Sequence, residues 1–156
     1  MILKSDGTVW AAGSNYWGQL GFSDSGDRQT FTQVSDDRGN PLSGIRDIAV
    51  RGDITVLLKN DGSLLLAGSY TEPDSEPSAY QAGANETETH PGFVPLVPEQ
   101  GAASPFKGVR KIVLGYNSIY VIASDGRLWA AGSNRYGQLS LGLDTEVSPV
   151  LKLINP

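Results

Sequence analysis

Cysteine is absent from this 156-residue chain, and methionine and histidine occur once each. Without thiols there is no disulfide framework, no thiolate metal site and no cysteine nucleophile. The single histidine, His90, stands before Pro91 in a polar stretch with no nucleophile elbow, so neither a metal centre nor a Ser-His-Asp arrangement is expected. No cofactor is implied. Basic residues are also few, twelve Lys and Arg against seventeen Asp and Glu, for a net charge of −5. Gripping a phosphate backbone needs a concentrated basic face; none is visible, and nucleic acid is not an expected partner. Long apolar runs are missing too. Met1–Asp6 holds none of signal-peptide length, and nothing in the sequence calls for a membrane span, so no compartment is assigned.

Glycine and proline, by contrast, are abundant, nineteen and nine respectively, which favours an all-β protein rich in tight turns. The chain also repeats itself. Leu3-Lys4-Ser5-Asp6-Gly7-Thr8-Val9-Trp10-Ala11-Ala12-Gly13-Ser14-Asn15 returns as Ile122-Ala123-Ser124-Asp125-Gly126-Arg127-Leu128-Trp129-Ala130-Ala131-Gly132-Ser133-Asn134. A weaker copy runs from Leu58 through Asp61-Gly62 to Ser69. Two copies continue alike, Trp17-Gly18-Gln19-Leu20 matching Tyr136-Gly137-Gln138-Leu139. The later two share a preceding block, Ile45–Val50 and Val109–Leu114. Self-similarity at this length is the mark of a repeat architecture.

Each copy reads as strands. Asp-Gly between apolar runs signals a hairpin with a type I′ turn, pairing Thr55–Lys59 with Ser63–Ala67 and Ile119–Ala123 with Arg127–Ala131. The block before it supplies an inner strand. Outer strands are expected at Phe31–Val34, Phe93–Val97 and Pro149–Leu153. Four short antiparallel strands make a propeller blade. The expected blades are 1–44, 45–108, with a long acidic loop at 70–92, and 109–156 within a single repeat domain. The first begins at the equivalent of a second strand, so the fold class is all-β, a partial β-propeller of about three four-stranded antiparallel blades, the first lacking its innermost strand.

The string Asp-Gly–x–Val/Leu–Trp–Ala–Ala–Gly–Ser–Asn–x–x–Gly–Gln–Leu resembles the regulator of chromosome condensation repeat family. That resemblance implies a propeller that binds proteins, its members serving as exchange factors for small GTPases, chromatin-docking modules, parts of ubiquitin ligases or bacterial effectors. This chain departs from the family at Arg51, Ile54 and Ser118, and the middle copy lacks the Asn–x–x–Gly–Gln–Leu string; these departures suggest a diverged, bacterial-type member.

Candidate binding residues occupy the variable positions. In the turn after the third strand these are Tyr16, Trp17, Arg135 and Tyr136; Trp, Tyr and Arg are the types enriched at binding hot spots. In the loop joining the two inner strands they are Arg51, Asp53, Tyr116 and Asn117. Asn15, Gln19, Asn134 and Gln138 recur with the turn and read as structural hydrogen-bonders, and Trp10 and Trp129 as core. Asp24–Asp27 and Asp36–Asn40 cluster oxygen ligands but look like turns and fit no calcium loop; Asn85-Glu86-Thr87 matches a glycosylation triplet. Two functions are open: a non-catalytic module recognising a protein partner through loops on one face, or a structural partial propeller completed by further copies of itself or by the rest of a longer chain.

Overall fold

The computed structural model describes residues 1–36, 38–69, 92–98, 108–142 and 147–154. The acidic loop 70–92 with His90, except Gly92, lies outside the described residues, as do the Asn85 triplet and Asp37. The described residues form strands and turns without helix.

Three antiparallel sheets follow one another. The first holds β1 (Ile2–Leu3), β2 (Val9–Gly13) and β3 (Arg28–Gln33) in that order. The second holds β4 (Ile45–Arg51), β5 (Ile54–Lys59), β6 (Leu64–Gly68) and β7 (Val94–Leu96). The third holds β8 (Val109–Leu114), β9 (Ser118–Ala123), β10 (Leu128–Ser133) and β11 (Val147–Ile154). Each sheet is a simple meander, the architecture of a propeller blade. Registers coincide: Leu3 pairs with Val9, Leu58 with Leu64 and Ile122 with Leu128. β1 is therefore the counterpart of β5 and β9, and the first sheet has no described counterpart of β4 and β8.

Strand alternation decides which neighbour each side chain meets. In blade two, Ile54, Val56, Leu58, Leu64 and Leu66 point one way and join Val109, Ile119, Val121, Trp129 and Leu151 in a layer between blades two and three. Leu57 points the other way, into a layer with Val9, Ala11, Leu20, Val34 and Leu42 between blades one and two. β5 is buried on both faces, and so its sequence is almost continuously apolar. Each fully buried Leu or Ile stabilises these layers by roughly 1.5–3 kcal/mol.

The hairpin turns depart from the expected type I′ geometry. Gly7, Gly62 and Gly126 take φ of 79°, 87° and 86°, but Asp6, Asp61 and Asp125 do not cross to positive φ. Gly7 N–H donates to Lys4 O at 2.9 Å, and Lys4 N–H to Thr8 O at 2.9 Å; the same pair of bonds closes the turns at Lys59–Ser63 and Ala123–Arg127. This is a type I turn followed by a glycine bulge. The cause is the aspartate side chain. Asp6 Oδ1 accepts from Thr8 N at 2.9 Å and Thr8 Oγ1 at 2.6 Å, Asp61 from Ser63 in the same way, and Asp125 Oδ1 from Arg127 N at 3.0 Å. Such Asx bonds hold the aspartate in the right-handed region and leave only the glycine to invert.

Candidate partner-binding face

In a meander, successive connections lie at alternate ends of the blade. The Asp-Gly turns occupy one end. The β4–β5 and β8–β9 loops and the segments leaving β2, β6 and β10 all occupy the other, so every residue expected to bind a partner comes from one end of the blades.

The turn after the third strand is built identically in blades one and three. Asn15 Oδ1 accepts from Leu20 N at 2.9 Å, and Asn134 Oδ1 from Leu139 N at 2.8 Å. Their amide groups donate across the loop, to Asp24 O and Gly142 O respectively. Gln19 Oε1 accepts from Trp17 N and Gln138 Oε1 from Tyr136 N, both at 2.9 Å. Both asparagines are buried. The two residues between them and the glycine are consequently lifted outward. Tyr16 is 66% exposed, Tyr136 is 77% exposed, and Arg135 is exposed; Trp17 is half-buried with its ring edge-to-face on Tyr16, 4.9 Å between centroids.

The inner loops add Arg51 and Tyr116, both exposed. A Cβ placed on Gly52 would lie 3.7 Å from Tyr116 O, so these loops of blades two and three touch. The other two expected residues are placed differently. Asn117 is buried at 6% exposure, and its carbonyl accepts from Ser133 N at 2.7 Å. Asp53 does the corresponding job with Ser69 N at 2.9 Å, and its carboxylate accepts from Gln19 Nε2 at 3.0 Å. Asp53 and Asn117 thus tie the loops down. They leave Tyr16, Trp17, Arg51, Tyr116, Arg135 and Tyr136 as the outward set.

Gln19, expected from the repeat to bond structurally, forms a clasp between blades with Thr55, which sequence reasoning did not single out. Thr55 Oγ1 donates to Gln19 O at 2.7 Å, beside the Gln19–Asp53 bond. Its signal was a lone polar residue inside the apolar run Ile54–Leu58, where blade three has Ile119. In blade three the counterpart Gln138 turns to its own blade: its Nε2 donates to Ser133 Oγ at 3.2 Å and its carbonyl accepts from Tyr120 OH at 2.8 Å.

Among the described residues, the carboxylates of Asp24 and Asp27 at this end are engaged by their own chain. Asp24 pairs with Arg28 at 2.7 Å and accepts from Gly26 N, and Asp27 Oδ1 accepts from Asn15 N. Among the described residues no carboxylate forms an ion pair with Arg51 or Arg135, and no three His, Asp or Glu side chains converge as metal ligands. The arrangement offers rings, phenols and guanidinium groups on a braced scaffold.

Residues 109–138 match the Regulator of chromosome condensation (RCC1) repeat model. The mouse X-linked retinitis pigmentosa GTPase regulator is 33% identical over 72 residues, covering 46% of this chain and 7% of that protein. The bovine secretion-regulating guanine nucleotide exchange factor is 26% identical over 133 residues, covering 85% of this chain and 26% of that protein. Among solved structures, human WBSCR16 superposes with a TM-score of 0.70 at 22% identity, and Prp20p of Saccharomyces cerevisiae, described with its binding to Gsp1p and histones, with 0.63 at 19%. Each match spans 99% of this chain and 35% of the other. The chain thus covers about a quarter or less of these curated relatives and about a third of these solved propellers. With the meandering blades, the shared register and the repeat match in hand, the chain carries a regulator of chromosome condensation repeat at residues 109–138 and has the fold of part of a β-propeller.

Proposed function

We propose that this chain is a protein-binding propeller module that recognises its partner through loops at one end of the blades and catalyses no reaction itself. The observation that carries this reading is the contrast within one turn. Asn15, Gln19, Asn134 and Gln138 spend their hydrogen bonds on the scaffold, while the residues between them are the Tyr, Trp and Arg types of binding hot spots, held outward. Exposed aromatic rings on a rigid loop lose little conformational entropy on association, so they are suited to bind rather than to pack. The matched relatives are named as a GTPase regulator and an exchange factor, and a small GTPase is the first partner class to test.

Surface-immobilised chain, presented with purified small GTPases in the nucleotide-free state, supplies the test. Replacing Tyr16, Trp17, Arg135 and Tyr136 together by Ala should weaken a binding GTPase by more than about 30-fold, the effect of hot-spot loss of about 2 kcal/mol. Replacing Lys59 and Arg127, at the Asp-Gly end, should leave affinity unchanged. Equal binding by both variants would remove the site assignment.

A further inference from the structure

The loop end of the blades carries a charge pattern that bears on the chemistry of its partner. Its outward residues form a row across successive loops, and a described contact fixes each step. The turn of blade one reaches the β4–β5 loop through the Gln19–Asp53 bond at 3.0 Å. That loop touches the β8–β9 loop, where a Cβ on Gly52 would lie 3.7 Å from Tyr116 O. The β8–β9 loop is tied in turn to the end of β10, Asn117 O accepting from Ser133 N at 2.7 Å. Along this row Tyr16 and Trp17 are followed by Arg51, then Tyr116, then Arg135 and Tyr136, so that rings and guanidinium groups alternate.

Both arginines are exposed, and neither forms an ion pair among the described residues. Asp24, Asp27 and Asp53 at the same end spend their carboxylates on Arg28, Asn15 N–H and Gln19. The exposure is a property of the positions and not of how many blades stand beside them. Arg51 has the loops of blades one and three on either side. Arg135 occupies the position of Tyr16, which stays 66% exposed with the turn of blade one clasped to blade two. A guanidinium only donates and is always charged, and on a protein its planar fork matches a carboxylate. A nucleic-acid backbone is the poorer match, because it needs a broad basic face and this chain carries −5 overall.

We infer that the partner presents an acidic segment to this row, with carboxylates for Arg51 and Arg135 and an apolar side chain between them against Tyr116. The inference rests on the loop end being the binding face, and adds the chemistry that the partner brings. Exposed ion pairs contribute little affinity each, so the rings supply most of the binding and the two arginines the selectivity.

A random-peptide phage library panned on the immobilised intact chain tests this. The enriched consensus should carry Asp or Glu flanking an apolar residue. Synthesised with a fluorescein label and read by anisotropy, it should bind Arg51→Glu with Arg135→Glu at least about tenfold more weakly. The same peptide with its acids replaced by Lys should prefer that variant to the native chain, which also shows the variant to be folded. Arg38→Glu with Lys59→Glu, the same change of charge at the Asp-Gly end, should leave affinity unchanged. A consensus without acids that is still lost in Tyr16→Ala with Trp17→Ala overturns the acidic partner but keeps the loop end as the binding face. One indifferent to both pairs of substitutions overturns both readings. Absence of any enrichment overturns the inference, as does displacement of the peptide by single-stranded oligothymidylate, which would assign the row to phosphate.

Discussion

Asn134 is 1% exposed, and its side chain holds Leu139 N–H and Gly142 O. Asn134→Ala leaves the buried Leu139 N–H without a replacement, at about 1–3 kcal/mol for an unsatisfied group, so a loss of that size in urea unfolding is expected. Asn134→Asp restores only the acceptor and should recover part of it. The recurrence of Asn15 and Asn134 with one turn made this role readable from the repeat, since a side chain that bonds backbone fixes the turn around it. The outward pointing of their neighbours followed from the same logic. The burial of Asn117 did not, because an asparagine in a short loop has the same appearance whether it faces water or the next strand.

The turn aspartates carry a second residue-level expectation. Side-chain and backbone bonds from Thr8 and Ser63, and backbone and side-chain bonds from Arg127, hold Asp6, Asp61 and Asp125 below the ordinary carboxylate value of 3.8. A carboxylate lowered by folding contributes stability that is present above its unfolded value and lost as pH falls through its folded value. Urea midpoints should therefore fall as pH drops below about 4, and the fall should be shallower when all three are Asn, which keeps the accepting oxygen but does not titrate. A slope unchanged by the triple substitution would assign the acid sensitivity elsewhere.

Among the elements, the contact of the β2–β3 turn with β5 and β6 decides how blade one is attached. Gly68 has φ of 100°, and a Cβ there would overlap Asp53 O and come within 3.3 Å of Gln19 Cα. Gly68→Ala should cost about 3 kcal/mol or more, combining a disfavoured φ with a clash that backbone cannot relieve. Thr55→Val removes the donor to Gln19 O without changing shape, at about 1–2 kcal/mol. Hydrogen exchange should show the cost of Thr55→Val as faster opening of blade one with little change in β9 and β10. The strands themselves were legible, including outer strands that overlap the expected Phe31–Val34, Phe93–Val97 and Pro149–Leu153, because apolar runs between turn formers have few other uses. The turn type was not. An Asp-Gly pair suits both a two-residue turn and a longer one with a bulge, and the Asx bond to the residue after glycine selects the second.

At the scale of the molecule, stability resides in two apolar layers between blades rather than within any sheet. Leu66 is 3% exposed in the layer between blades two and three, and Leu66→Ala should cost about 2–5 kcal/mol by calorimetry or urea unfolding. Nearest-neighbour packing of this kind confines the damage, and the layer between blades one and two should be affected less. The repeat alone determined the all-β class, the blades and which end carries the variable residues, since period-two alternation and turn chemistry are local and survive in the sequence. What only the tertiary structure decided was the partnership between copies. Whether Asp53 binds a partner or Gln19, and where Thr55 sends its proton, both depend on residues far away in the chain, brought within bonding distance only when one blade is stacked on the next.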